Sequence, residues 1–327
     1  MRIVFMGSPA AAAVTLKAIV NTPTLEVIGV VTQPDRPSGR NRVLTPSPCK
    51  VYAQQHGLSP IITPEKVNCP EVLNQIQALK PDVIVVVAYG QFLGKRLLEM
   101  APYGCVNGHF SLLPKYRGAS PVHTAIAAGE THSGVTIMQM AAGMDDGDIL
   151  LSEGASISSE DTGESYMERL AILGGVTMVK ALRMMRKHEL NPVPQEHAQA
   201  TFARKIKKVD GLINWKLSAA EIERRVRAFH PWPGMYTYLP EHATKHNSSG
   251  RLKVISTAVE PIVCADCPKT LPPGAICTLK YDGAVVVTGK GCLELTAVQP
   301  EGSRRMGGRD FLNGYQLKTG DRLRTHI

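Results

Sequence analysis

Asn107 and His109 stand two positions apart in CVNGHFSLLPKYRG, residues 105–118. In an extended strand, residues i and i+2 point to the same face, so an amide and an imidazole project together. An apolar run leads into the pair and a turn carrying Pro114, Lys115, Tyr116 and Arg117 follows, which places it at the carboxyl end of a strand. The pair suits acyl chemistry: the amide can donate to a developing oxyanion, and the imidazole can move a proton near neutral pH. A histidine that merely caps a strand end gives the same pattern.

A carboxylate partner would favour the chemical reading. The loop AAGMDDGDIL, residues 141–150, offers Asp145, Asp146 and Asp148 between and beyond Gly143 and Gly147. A tight turn there brings an aspartate to the same crevice, where it can orient the histidine. The spacing is not that of a calcium loop, and no metal is expected. The chain has no Gly-x-Ser-x-Gly elbow, no Gly-x-Gly-x-x-Gly fingerprint and no phosphate-cradling P-loop. A serine hydrolase and the common nucleotide-binding signatures are thereby disfavoured.

The elements that must hold these residues follow from hydrophobic period. Strands are expected at 2–6, 26–32, 82–88, 104–109, 134–140 and 149–157, and helices at 9–20, 48–56, 68–79, 91–100, 120–128 and 162–187. The run DVIVVVA lacks alternation, as a parallel strand covered on both faces should. Strands alternating with helices predict an α/β domain, a Rossmann-like, doubly wound and mostly parallel sheet, with ligands at the strands' carboxyl ends. Gly174-Gly175 is expected to loosen the longest helix. Residues 190–205 carry two prolines at 192 and 194 and no apolar period, and read as a linker between a first domain, 1–189, and a second, 206–327. The second domain opens with an amphipathic helix at 218–229 and continues in short β-rich runs, which predict a small, OB-like β-barrel.

Charge is unevenly spread. Residues 1–190 hold 17 Lys and Arg against 16 Asp and Glu, a net +1, and residues 191–327 hold 20 against 12, a net +8. That excess suits a polyanionic partner such as nucleic acid, or simply a solvated basic surface. The segment TQPDRPSGRNRVLTPSPCK, residues 32–50, adds Arg36, Arg40, Arg42 and Lys50 beside the expected crevice, where they can meet phosphates. The seven cysteines are odd in number and scattered, which fits reduced thiols in the cytosol; Cys264 and Cys267 lack the second close pair a zinc site wants. No stretch is long and apolar enough for a membrane span, and a cytoplasmic monomer is expected.

TQPDRPSGR, VVAYGQFLGK, CVNGHFSLLPKYRG, GVTIMQMAAGMDDGDIL, NWKLSAAEIERRVRAFHPWPG, QPEGSRRMGGRDFLNG and GDRL together resemble the methionyl-tRNA formyltransferase branch of the 10-formyltetrahydrofolate-dependent formyltransferase family, over essentially the whole chain. The resemblance implies transfer of the formyl group of 10-formyltetrahydrofolate to the α-amino group of methionyl initiator tRNA, in translation initiation. It implies that Asn107, His109 and Asp145 are catalytic. Folate would lie along Ala88, Tyr89, Gly90, Gln91, Phe92 and Leu93, and against Ser111, Leu112, Leu113 and Pro114. Initiator tRNA would meet Arg36, Arg40, Arg42 and Lys50, and also Lys205, Lys207, Lys208, Arg304 and Arg305.

The chain departs from the family pattern at Gly108, where a larger residue is usual, and at Phe110, where a small one is. Phe110 is therefore expected to press on the folate side. A formyltransferase for a small amine, folate hydrolysis and a non-catalytic tRNA-binding protein are the rival readings. The basic loop and basic second domain speak against the small amine.

Overall fold

The computed structural model describes residues 1–39, 42–244, 248–260, 270–277 and 284–325. The chain divides into two compact units. The first comprises Met1–Pro121, His132–Ser156 and Tyr166–Arg204; the second comprises Lys205–Ile327 with Val122–Thr131 and Ile157–Ser165.

The first unit is built on β1 (Arg2–Gly7), β2 (Glu26–Val31), β5 (Ile61–Ile62), β6 (Val83–Val87), β7 (Cys105–His109), β8 (His132–Gln139) and β9 (Ile149–Ser156). Their order is β5-β2-β1-β6-β7-β8-β9. From β5 to β7 every pairing is parallel, and β8 runs antiparallel to both of its neighbours. The continuous β-branched run of β6 lies at the centre and is buried throughout, as a strand covered on both faces must be.

Period 2 in the strands sorts the side chains into two layers. Val4, Met6, Ile84, Val86 and Cys105 pack with Val72, Leu73 and Ile76 of α3 (Pro70–Ala78) and Leu97 of α4 (Lys95–Leu98). The other layer faces α1 (Ala10–Val20) and α6 (Gly163–Arg186): the position of a Cβ on Gly108 lies 3.4 Å from Val87 and from Met178 of α6. The mostly parallel, doubly wound sheet expected from the sequence is therefore present.

Four expectations need correction. The helix expected at 91–100 shrinks to Lys95–Leu98. Ala88 and Gly90 take positive φ, 45° and 87°, and Gln91 and Asn68 tie the loop to residues 64–68 before a helix can begin. The basic segment 32–50 is not all loop: it forms the hairpin β3 (Arg36–Ser38) and β4 (Val43–Thr45) and ends in α2 (Pro48–Gln55), capped by Ser47. α6 runs unbroken through Gly174-Gly175. Cys277 is disulfide-bonded, against the expectation of reduced thiols throughout; Cys264 and Cys267 lie outside the described residues.

The stretch expected as a linker is paired with the first unit. Val193 bridges Ile149 of β9, and Phe202 bridges Arg117.

In the second unit, α7 (Ala219–Ala228) opens with a reciprocal cap: Ser218 Oγ accepts from the Glu221 N–H, and Glu221 Oε2 accepts from the Ser218 N–H. The sheet that follows is antiparallel, in the order β10-β11-β14-β13-β12 with β15 against β14. Its strands are β10 (Met235–Tyr238), β11 (Arg251–Glu260), β12 (Ile276–Cys277), β13 (Ala284–Val287), β14 (Cys292–Pro300) and β15 (Met306–Gly307). Residues 322–324 bridge both ends of this half-barrel, Arg322 to Ala275 and Arg324 to Tyr238, which covers edges that would otherwise stay open. Among the described residues no helix is long and apolar enough to cross a membrane.

Candidate active site

β7 ends on the expected pair. Asn107 is 8% exposed and His109 6% exposed, and both stand on the face that Cys105 shares with α3 and α4. The Asn107 side-chain amide has no hydrogen-bond partner among the described residues, although Asn107 itself is paired with both neighbouring strands. The amide is not spent by the fold and is open to a ligand.

His109 is fixed at both nitrogens. Nε2 lies 2.9 Å from the Tyr116 carbonyl oxygen, which can only accept, so Nε2 carries the hydrogen. Nδ1 faces Asp145 Oδ2 at 3.6 Å. Of the three aspartates weighed from sequence, Asp145 is the one beside His109. Its Oδ2 also accepts from the Gly118 N–H at 2.7 Å, whereas the Asp146 Oδ1 is buried without a partner and Asp148 points its side chain outward. Backbone strain gathers here: Ala88, Tyr116 and Asp145, none of them glycine, have φ of 45°, 60° and 50°. Such residues persist only where their surroundings over-determine them. Cys105, on the same face, is no rival nucleophile, because burial pushes its thiol up to about 12.

The expected folate segments divide between fold and surface. Tyr89 and Leu93 are part of the core, and burial raises the Tyr89 phenol. Gln91 spends its amide on Val67 N–H and the Pro64 carbonyl. What remains open is backbone at Ala88 and Gly90 and the ring of Phe92, 71% exposed. Ser111 and Leu113 are buried; Ser111 Oγ donates to the Lys115 carbonyl, and Thr136 Oγ1 bonds both the Ser111 carbonyl and the Leu113 N–H. Leu112 and Pro114 are half-buried.

Phe110 does not press on that side. It is buried against α6, where the Cβ position of Gly174 lies 3.4 Å from its ring. Gly108 shares this layer, so the two unusual residues around the pair both pack against α6 and leave the Asn107 and His109 face untouched.

The basic residues separate as well. Arg36 pairs with Glu65 at 2.6 Å and Lys50 with Asp35 at 2.8 Å. Arg42, at the tip of the hairpin, is exposed; its N–H donates to the Gly39 carbonyl, and its guanidinium has no partner among the described residues; Arg40 lies outside them. Lys205, Lys207 and Lys208 are exposed, as are Arg304 and Arg305 between β14 and β15. Among the described residues no group of three His, Cys, Asp or Glu is placed to hold a metal.

Sequence reasoning missed Arg117 and Gln195, both buried, which bond to one another beside the Asp145 loop. The Tyr-Arg-Gly motif was visible, but nothing in a proline-rich stretch marked Gln195.

Residues 1–182 match the formyl transferase family model, and residues 205–316 match the formyl transferase C-terminal domain model. Methionyl-tRNA formyltransferase of Geobacter metallireducens is 43% identical over 323 residues, 99% of this chain and 98% of that relative. The enzyme of the same name from Marinobacter nauticus is 42% identical over 314 residues, 96% of each. Among solved structures, WlaRD, a sugar 3N-formyl transferase, superposes with a TM-score of 0.63 at 17% identity, covering 93% of this chain and 99% of that one. An N-formyltransferase from Helicobacter canadensis gives 0.61 at 16%, covering 91% and 98%. These structural likenesses speak to the fold.

Proposed function

The chain belongs to the methionyl-tRNA formyltransferases, and from that premise we propose that Asn107, His109 and Asp145 carry out its transfer step. The reaction moves the formyl group of 10-formyltetrahydrofolate to the α-amino group of methionyl initiator tRNA, the modification that marks the first residue in translation initiation.

The observation that carries the residue assignment is the pairing of an unspent amide with an oriented imidazole at one strand end. As the amine attacks the formyl carbon, charge develops on the formyl oxygen. Asn107 donates to it from a buried position, where a hydrogen bond is worth more than in water. His109 has Nε2 committed to the Tyr116 carbonyl, so Nδ1 is the nitrogen that holds or passes a proton. Asp145, opposite Nδ1, steadies the ring whenever that proton is present. The amine loses one proton and the folate nitrogen gains one as the old carbon–nitrogen bond breaks, so a single relay serves both ends of the transfer.

The folate lies along the backbone of Ala88 to Leu93 and the 111–114 turn, with Phe92 as its exposed aromatic contact. Arg42 is the leading tRNA contact on the first unit. The lysines at 205, 207 and 208 and the arginines at 304 and 305 serve the same polyanion on the second. A catalytic domain of 1–189, a connecting stretch of 190–205 and a tRNA-binding domain of 206–327 describe this division of labour. The working form is a cytoplasmic monomer.

The test is a formylation assay with purified methionyl initiator tRNA. His109→Ala should lower turnover by about 10²–10⁴-fold and leave tRNA affinity nearly unchanged. A large loss of affinity with turnover retained would mean that the histidine is misassigned.

A further inference from the structure

Of three consecutive residues, Tyr116, Arg117 and Gly118, the outer two touch the acid–base pair directly and the middle one reaches its loop through another side chain. The Tyr116 carbonyl takes His109 Nε2, and the Gly118 N–H holds Asp145 Oδ2. Arg117, between them, reaches the same loop through a second side chain. Its Nε and Nη2 donate to Gln195 Oε1 at 3.1 and 2.7 Å. Gln195 Nε2 in turn donates to the carbonyls of Asp145 at 2.9 Å and of Gly147 at 2.7 Å.

Both side chains are only 5% exposed. Arg117 has no carboxylate partner among the described residues; its other contact is His197 Nδ1, 3.2 Å from Nη2. A buried guanidinium without a counter-ion is costly unless dipoles are held against it. Here the Gln195 amide supplies that dipole, and its opposite end aims two donors at the Asp145 loop. The charge polarises the amide and strengthens those donors. The loop needs them, since residues 141–144 are exposed and Asp145 itself sits at φ 50°. The same segment laces the other side: Tyr116 N–H bonds Thr201 Oγ1, Arg117 N–H bonds the Thr201 carbonyl, and Ala203 N–H bonds the Arg117 carbonyl.

We propose that Arg117 and Gln195 are positioning residues for formyl transfer, which fix the separation between His109 Nδ1 and Asp145 Oδ2 and so set the proton step. The inference rests on the reading of Asp145 as part of the catalytic group. It gives the 190–205 stretch a role in the reaction that its composition does not announce.

Gln195→Glu separates anchoring from positioning. It keeps an acceptor for Arg117, now charged, and removes both donors to the loop. Arg117→Lys keeps the charge and loses the two-pronged bond. In the full-length protein each should lower kcat by about 10–10²-fold, with little change in KM for either substrate. The pH profile of Gln195→Glu should move towards that of Asp145→Asn, which a loss of fold stability would not cause. Combined with Asp145→Asn, neither change should cost anything further, because both act through that carboxylate. Losses that multiply in the double variants, or wild-type turnover in folded Gln195→Glu, would overturn the proposal. If Asp145→Asn alone keeps full turnover, the catalytic reading goes as well, which tells the two failures apart. Should Gln195→Glu not fold by thermal melting, the Arg117→Lys cycle decides on the same criterion.

Discussion

Phe110 and Gly174 are packed together: the ring of one lies over the bare Cα of the other, with the Cβ position 3.4 Å from the ring carbon Cε1, so a methyl there would just touch the ring and a larger side chain would meet it. The neighbouring glycine solves a different problem. A Cβ on Gly175 would lie 3.1 Å from Ala18 Cβ, so α1 and α6 approach more closely there than most residues allow. A glycine pair that reads as a weak point in a helix thus leaves room for an aromatic ring at one position and lets a second helix approach closely at the other.

Substitution should separate the two. Gly174→Ala meets an ordinary contact and gains helix propensity, so stability should stay level or rise by up to about 1 kcal/mol. Gly175→Ala must push α1 aside, and Gly174→Leu must displace Phe110; each should cost about 1–3 kcal/mol. Urea midpoints read the difference. Equal effects for the two alanine variants would mean that the helix spacing does not depend on Gly175.

The hairpin arginines should differ in the same way. Arg42 is exposed and its guanidinium unpaired among the described residues, whereas Arg36 is engaged with Glu65. Arg42→Ala should weaken tRNA use and reduce the salt slope of binding by about one. Arg36→Ala should do less, because its charge is already partly answered. If the two variants bind tRNA alike at every salt concentration, intramolecular pairing is not what ranks them.

Acid should weaken the second unit through His123. Burial lowers its pKa, and Nδ1 has no hydrogen-bond partner. The unfolded chain takes up this proton near the ordinary histidine value of about 6.5, while the folded state resists it. Stability is therefore full above that value and falls as pH drops below it. His123→Gln should lose less unfolding free energy than wild type between about pH 7.5 and 5.5. Parallel losses in the two proteins would assign the acid sensitivity elsewhere.

Much of the fold is local information. The short, β-branched, unalternating run at 83–87 read as a covered strand, the i, i+2 spacing placed Asn107 and His109 on one face, and Ser218 with Glu221 marks a helix start. Where the chain misled, the deciding partner was distant in sequence. Nothing near Gly174 predicts a ring 64 positions earlier, from residue 110. Nothing around Asp145 ranks it above Asp146 until the Gly118 N–H and His109 arrive beside it.

The sequence by itself determined that an amide and an imidazole share one face at the end of one strand, because residue type and strand period are properties of neighbours. Only the tertiary structure decided that Asp145 stands opposite His109 Nδ1, that Nε2 is bonded to the Tyr116 carbonyl, and that Gln195 donates to the Asp145 loop from 50 residues further along the chain. Those are matters of hydrogen bonds a few ångströms long between segments that meet only when the sheet has formed.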